Sequence, residues 1–334
     1  MVVHQSCNAS SQGVSNEDTL SRQNNNIEES IKVDTSCMVL AQRLSGLFLP
    51  ISTPFDRDEC VDFDALRFNL HRYSQTDISG YLALGSNGEN KSLTEDEKLG
   101  VLEAIVRDKG QTQVVMAGAT YEAQRDTERF FKQAASLGAD FGLLLSPSYF
   151  KKLLTDEVLH RYFMTVADTS PMPLLIYNAP GFCGINLSPQ LVARLSEHPN
   201  IVGMKDSGTD SISSFLEFAR EEFVVLAGSI TFLFPAMLKG AAGGTVSLAN
   251  SFPEEALTLF RAGQAKDEAR GPALQERASR INKAISGRYG VPGVKAAMNL
   301  AGLRGGIPRR PLLPLEETQV VQLRQVLISE HVLD

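Results

Sequence analysis

From Gly46 onward the sequence repeats one pattern eight times: a short apolar run rich in Val, Leu and Ile, a corner of Gly, Ser, Asn or Pro, then a longer stretch with helical spacing. The runs are GLFLPISTPF (46–55), GYLALGS (80–86), VVMAGA (114–119), FGLLLSP (141–147), PLLIYNAP (173–180), IVGMKDS (201–207), VVLAGS (224–229) and GGTVSLAN (243–250). Short apolar runs closed by turn residues read as buried strands. Between them, Thr94 before EDEK and Ser188 before Pro189 are helix-start signals. Leu99, Leu102 and Val106, or Phe130, Ala134 and Leu137, keep the 3.6-residue period of a helix with one buried face. Eight strands alternating with eight helices over about 220 residues predict a (β/α)8 TIM barrel in the α/β class. A doubly wound open sheet is the competing architecture, but its dinucleotide-binding version calls for GxGxxG after an early strand, and none occurs.

The flanks differ from this repeat. SQGVSNEDTLSRQNNNIEES is rich in Ser, Asn, Gln and acids and has no apolar period, so it cannot bury enough surface to offset the entropy of ordering. The expected organisation is a disordered tail over 1–43, a catalytic barrel over 44–264 and a C-terminal helical extension over 265–334, with INKAISGRYGVPGVKAAMNLAGL forming two helices split at Pro292. The tail carries Glu17, Asp18, Glu28, Glu29 and Asp34 against Arg22, Lys32 and Arg43, the wrong balance for a mitochondrial presequence; a cytoplasmic location is expected. Cys7, Cys37, Cys60 and Cys183 form neither a CxxC pair nor a compact framework, which argues against disulfides and structural zinc. A net charge of -7 works against broad attraction to nucleic acid or anionic lipid, and no run approaches the roughly 20 apolar residues of a membrane helix. Small molecules are the expected partners.

In a barrel of this kind chemistry sits at the C-terminal ends of the strands. Those ends offer Ser52, Thr53, Ser86, Asn87, Glu89, Ser146, Ser148, Tyr149, Tyr177, Asn178, Lys205, Asp206, Ser207, Ser229, Ser247 and Asn250. None is a histidine, because His4, His71, His160, His198 and His331 fall in the tail or on predicted helices. A Ser-His-Asp relay and a metal centre are therefore disfavoured. The informative residue is Lys205, which ends an apolar strand. Desolvation favours the neutral form of an amine, and a neutral amine among hydroxyls can attack a carbonyl to form a Schiff base, with no cofactor required. The plain alternative is a strand-end lysine that reaches solvent or pairs with Asp206.

GSNGE (85–89), YNAPGFCG (177–184) and GMKDS (203–207), with SPSYF (146–150) and GGTVSLAN in the same order, resemble the dihydrodipicolinate synthase and N-acetylneuraminate lyase family over about residues 45–325. The likeness falls nearest the 4-hydroxy-2-oxoglutarate aldolase branch, through GSNGE, HPNIVGMKDSG and VLAGS. It implies Lys205 as the Schiff-base nucleophile, Tyr177 as the phenol that relays protons, and Ser86 as the hydroxyl linking Tyr177 to Tyr149, which would reach a neighbouring subunit's site. It further implies that Asn87, with Ser86, binds the pyruvyl carboxylate, that Ser207 lies near the second half of the substrate, that Gly228 and Val246 line the pyruvate pocket, and that the enzyme is a homotetramer of tight dimers. Each position has a plain reading as well: Tyr177 as a core tyrosine, GSNGE as a helix-starting turn, Gly228 and Val246 as barrel-wall residues.

One position departs from the resemblance. Dihydrodipicolinate synthases carry an arginine in the loop after the tyrosine strand to hold a carboxylate, and here Phe182 stands there, followed by Cys183. Loss of that guanidinium fork removes a bidentate clamp. The expected activity is cleavage of a 4-hydroxy-2-oxo acid, such as 4-hydroxy-2-oxoglutarate, to pyruvate and an aldehyde such as glyoxylate. A deoxy-hexulosonate (sugar-acid) aldolase, an N-acetylneuraminate lyase and a dihydrodipicolinate synthase remain alternatives within the same chemistry. Outside it stand a non-catalytic keto-acid-binding barrel, for which amine and phenol together are superfluous, and a phosphate-binding barrel, for which VLAGS and GGTVSLAN offer donors without a nearby Lys or Arg.

Overall fold

The computed structural model describes residues 38–208 and 212–334. Most of the expected tail, 1–37, lies outside those residues, as do Cys7 and Cys37. β1 (Leu47–Pro50), β2 (Gly80–Ala83), β3 (Val114–Ala119), β4 (Phe141–Leu145), β5 (Leu174–Asn178), β6 (Ile201–Asp206), β7 (Val224–Ala227) and β8 (Gly243–Thr245) pair in sequence order. All neighbours are parallel, and β8 returns to β1 to close the barrel. Each expected run holds one strand, and helices alternate with the strands outside the ring.

Alternation along each strand sorts the side chains. Phe48, Leu82, Met116, Phe141, Leu143, Leu175, Tyr177 and Leu226 form one buried cluster, which fills the barrel interior. Leu47, Leu49, Tyr81, Val115, Ala117, Leu174, Ile176, Met204 and Val225 belong to a second, larger cluster that packs the barrel wall against the helices. Because side chains change face at every residue, the pairing of Tyr177 with Lys205 and of Asn178 with Asp206 puts the lysine inside and the aspartate outside.

The β1–β8 seam is short, with only Leu47 opposite Gly244 and Phe48 opposite Thr245. Asn250 reinforces it just beyond the strands: its Oδ1 accepts the Ser52 N–H at 3.0 Å, its Nδ2 donates to the Pro50 carbonyl at 2.9 Å, and its own carbonyl accepts the Tyr73 hydroxyl at 2.6 Å. The helix starts follow the expected capping chemistry. Thr94 and Glu97 form a reciprocal capping box at Glu95–Asp108, and the Ser188 hydroxyl accepts the Leu191 N–H at the start of Pro189–Ser196.

Two boundaries differ from expectation. Residues 38–44, mostly assigned to the tail, are helical; Leu44 is fully buried, and Leu40 and Ala41 pack against the interior cluster. Arg43 adds an ion pair to Asp140 and lies over the Phe141 ring. MVLAQRL thus has an apolar side that the polar stretch before it lacks, and it plugs the N-terminal end of the barrel. In the C-terminal region the expected break at Pro292 comes earlier. The helix Gly271–Asn282 runs into a π-helical segment, Lys283–Gly287, and the next helical stretch, Arg288–Leu300, is interrupted at Gly290, whose φ of 60° and ψ of -142° suit a residue without Cβ.

Tyr73, Tyr81 and Tyr162 are buried, and burial pushes all three phenols above their ordinary value of 10.0. In the unfolded chain they ionise near that value, so the stabilisation is present below about pH 10 and is lost as the pH rises beyond it. Denaturant unfolding followed from pH 8 to 11 should show stability falling above about pH 10, with a shallower fall in Tyr73→Phe. A pH-independent midpoint through that range would contradict the buried placement.

Candidate active site

A cavity of about 320 Å³ opens at the C-terminal ends of the strands. Lys205 and Tyr177 meet in it because β5 and β6 pair in register. Both side chains are buried, at 5% and 6% exposure, and the lysine Nζ lies 4.4 Å from the centroid of the phenol ring. The plain alternative of a pair with Asp206 does not fit this geometry, since the Asp206 Oδ1 faces outward and accepts Asn178 Nδ2 at 2.8 Å and the Gly208 N–H at 2.9 Å. Asn178 also binds Asn186 and the Leu187 N–H, so the strand-end polar residues outside the barrel hold the loop after β5 while those inside face the cavity.

Ser86 and Asn87 enter the same cavity from a 3-10 turn, Ser86–Gly88, that follows β2. The turn is pinned from the segment just after β1: Thr53 donates to the Gly88 carbonyl at 2.8 Å, and a Cβ on Gly88 would stand 3.1 Å from the Ile51 carbonyl oxygen. Glu89 closes the turn in the left-handed region, with φ of 52°. The Gly88 and Glu89 N–H groups close the turn by donating to the Gly85 and Ser86 carbonyls, and the donors that Ser and Asn bring to such a corner suit a carboxylate.

Ser207 lines the cavity beyond β6, with its hydroxyl 3.5 Å from the Tyr177 oxygen. Gly228 makes room for it. A Cβ at Gly228 would fall 2.1 Å from the Ser207 Oγ and 2.7 Å from the Asp206 carbonyl oxygen. At the end of β8 the wall is made by Thr245 and, just beyond the strand, Ser247, whose hydroxyl oxygens are buried without a hydrogen-bond partner among the described residues. Buried hydroxyls of that kind invite a ligand.

Two of the expected positions, Ser86 and Val246, are arranged differently, and Tyr149 lies apart from this chain's own cavity. Ser86 lines the cavity but has no hydrogen bond to Tyr177; the hydroxyl that bonds the phenol is that of Ser207, which donates to it at 3.5 Å. Tyr149 is 80% exposed and stands outside the cavity wall, its ring edge-on to Phe150. Its loop is nevertheless fixed, because the Glu122 carboxylate accepts the N–H groups of Ser148 and Tyr149 and the Ser148 hydroxyl. Burial would raise the Glu122 carboxyl, but these donors and Lys91 hold it below its ordinary 4.5. Val246 is fully buried, grouped with the apolar layer that includes Ala227 and Val225, so Thr245 and Ser247 on either side of it form the wall instead.

Phe182 is 68% exposed and lines the cavity mouth, whereas the Cys183 thiol is buried and donates to the Ala179 and Ile185 carbonyls. Cys183 is therefore a packing residue. The far wall was not anticipated: Asn282 reaches the cavity from the end of the helix Gly271–Asn282, Ser286 from the π-helical segment, and Gly290 and Val291 from the broken helix after it. Its signal in the sequence is the density of helix-disfavouring residues in SGRYGVPG. Among the described residues no group of three or more His, Cys, Asp or Glu is placed to hold a metal ion.

The profile of the Dihydrodipicolinate synthetase family matches residues 43–330. The chain belongs to this family. It is 34% identical over 289 residues to the 4-hydroxy-tetrahydrodipicolinate synthase of Methanoculleus marisnigri, covering 85% of this chain and 98% of that protein. A synthase of the same name from Xanthomonas axonopodis pv. citri is also 34% identical, over 81% of this chain and 90% of the relative. Among solved structures, the chloride-inhibited dihydrodipicolinate synthase from Acinetobacter baumannii complexed with pyruvate superposes with a TM-score of 0.81 at 28% identity, covering 86% of this chain and 99% of that one. YagE from E. coli K12, also in complex with pyruvate, superposes with a TM-score of 0.80 at 26% identity, over 86% and 98% of the two chains. This protein is accordingly a Schiff-base-forming lyase of the class I, pyruvate-dependent aldolase superfamily.

Gly228→Ala should displace Ser207 and press on the β6 backbone at Asp206, beside Lys205, lowering both the melting temperature and kcat/KM, the latter by about tenfold or more, since a shift of an ångström in a positioning group has costs of that order or larger. Steady-state kinetics beside a circular dichroism melt would check it; unchanged kinetics would mean the Ser207 hydroxyl has no part in turnover.

Proposed function

We propose that the protein cleaves a 4-hydroxy-2-oxo acid, foremost 4-hydroxy-2-oxoglutarate, to pyruvate and an aldehyde, which is glyoxylate for that substrate. The observation that carries this reading is a buried amine 4.4 Å from a buried phenol ring inside a cavity at the strand ends. In the proposed sequence the Lys205 Nζ adds to the C2 carbonyl, and the carbinolamine loses water as the Tyr177 phenol delivers a proton to the departing hydroxyl. The iminium then accepts the electron pair of the C3–C4 bond while the phenolate takes the proton from the C4 hydroxyl. The aldehyde departs and an enamine remains. Protonation at C3 and hydrolysis release pyruvate and restore the amine.

Ser86 and Asn87 are the proposed carboxylate site, next to the amine in the same cavity. The Ser207 hydroxyl, 3.5 Å from the phenol oxygen, is placed in this reading beside the C4 hydroxyl. The exposed Tyr149 ring on its fixed loop supports a role across a contact between two copies, within the proposed homotetramer, where it would join Ser86 and Tyr177 from a neighbouring subunit.

The activity for which those relatives are named, 4-hydroxy-tetrahydrodipicolinate synthesis, is a further reading, and Phe182 at the place of the expected arginine weighs against it. A specific observation favours a sugar-acid aldolase as the second reading: the unpartnered hydroxyls of Thr245 and Ser247, in a cavity also lined by Ser286 and Asn282, would suit a hydroxylated aldehyde. Borohydride reduction in the presence of pyruvate should leave a covalent adduct on Lys205 and none on Lys205→Arg. An unmodified wild-type Lys205 would remove the Schiff-base reading. The ratio of kcat/KM for glyoxylate-derived and sugar-aldehyde-derived oxo acids then separates the two substrates.

A further inference from the structure

The cavity has two walls that come from distant parts of the chain, and one buried ion pair joins them. On one side is the turn Ser86–Gly88; on the other is the helical stretch Arg288–Leu300, which supplies Gly290 and Val291, preceded by the π-helical segment that supplies Ser286. Glu89 ends the first and Lys295 lies on the second. Their side chains are 2% and 1% exposed, and Lys295 Nζ stands 2.5 Å from Glu89 Oε1. The same ammonium donates to the Ile307 carbonyl at 2.7 Å and lies over the Phe55 ring. The other carboxylate oxygen of Glu89 accepts the Arg309 N–H at 2.9 Å.

Glu89 is not a free side chain at the end of a loop. Its own backbone N–H donates to the Ser86 carbonyl, and its φ of 52° is a conformation that a residue with a Cβ adopts only when its surroundings hold it there. Whatever fixes the Glu89 carboxylate therefore fixes the turn that carries Ser86 and Asn87. An ion pair buried this deeply is a poor source of stability, because desolvating both charges offsets their attraction. Geometry is the better account of it.

We propose that Glu89 and Lys295 are positioning residues for substrate binding, holding the Ser86–Asn87 turn at a set distance from the Ser286–Val291 wall. Neither touches the reacting atoms; both act through the turn. This inference rests on the reading of Ser86 and Asn87 as the carboxylate site. Burial pushes Lys295 down to about 8 from its ordinary 10.5, with Glu89 opposing the shift and Arg309 adding to it. The charged groups that face the ammonium are thus Glu89 on the turn and Arg309 on the C-terminal segment, whose guanidinium is itself bonded to Glu97 and to the Glu59 carbonyl. As the pH rises through about 8, Lys295 loses its proton, Glu89 loses its cationic partner, and the hold on the turn is released.

The test uses the full-length protein and the pyruvate concentration that half-saturates borohydride trapping at Lys205. Removing one member of a buried pair leaves a bare charge that can unfold the chain, so E89Q/K295M, which removes both charges, accompanies E89Q and K295M. The expected result is a rise of about tenfold or more in half-saturating pyruvate for every variant that folds, with the trapping rate at saturation within about threefold of wild type and the double variant no worse than the singles. In wild type the half-saturating concentration should climb above about pH 8; in Lys295→Arg, which keeps its charge, that climb should be absent. A lowered melting temperature with half-saturation within about twofold of wild type would overturn the proposal, as would the same alkaline climb in wild type and Lys295→Arg. A wild-type protein that forms no adduct defeats the reading of the site; an adduct with unshifted variants defeats this inference alone.

Discussion

The register of β5 against β6 is the constraint on which the rest of the site depends. Tyr177 pairs with Lys205 and Asn178 with Asp206, so two residues face inward and two outward. A slip of one residue would exchange the pairs, sending the amine toward the helices and bringing the carboxylate into the cavity. The slip is opposed twice. Leu175 and Leu226 need the interior and Ile176 and Met204 need the helix layer, while the outward Asn178 amide is occupied by Asp206, Asn186 and the Leu187 N–H. Chemistry inside the ring is secured by hydrogen bonds outside it.

Around that pair the cavity is built from groups that carry no formal charge of their own. Ser86, Asn87, Ser207, Ser229, Thr245, Ser247, Asn282 and Ser286 surround Lys205 in its lining. Hydroxyls and amides both donate and accept, so such a wall can follow a substrate whose C2 passes from carbonyl to carbinolamine to iminium. A second fixed cation beside the amine would oppose the positive charge that the iminium must bear.

Much of this was legible in the residues themselves. The eight apolar runs mark the strands because parallel barrel strands are buried on both faces and read as nearly continuous hydrophobic segments. Lys205 and Tyr177 stand out because a polar side chain at the end of such a run has few places to go. The strand bounds and several contacts were less legible. GGTVSLAN reads as one run, yet only Gly243–Thr245 pairs as strand before Ser247–Asn250 coils into a 3-10 turn, and the alternation that turns Thr245 and Ser247 to the cavity turns the still-extended Val246 away from it. The Ser86 to Tyr177 link depends on hydroxyl rotamers and turn geometry, which local pattern does not encode. Asn282, Ser286 and Lys295 were invisible as site residues because their meaning lies in tertiary packing: a helical stretch more than 190 residues from GSNGE folds back over the barrel mouth. The short helix before β1 was hidden by the polar stretch preceding it.

The seam between β1 and β8 has a bearing on how the molecule comes into being. Two residue pairs and one asparagine amide complete the ring, and that asparagine is residue 250 of 334. During synthesis the first seven strands emerge while the eighth, and the carbonyl-binding amide that locks it, are still inside the ribosome. The lysine is made 45 residues before Asn250 and 86 before Val291, so for that interval the amine exists without the enclosure that would make it selective. The nascent chain carries the nucleophile early and acquires the vessel late.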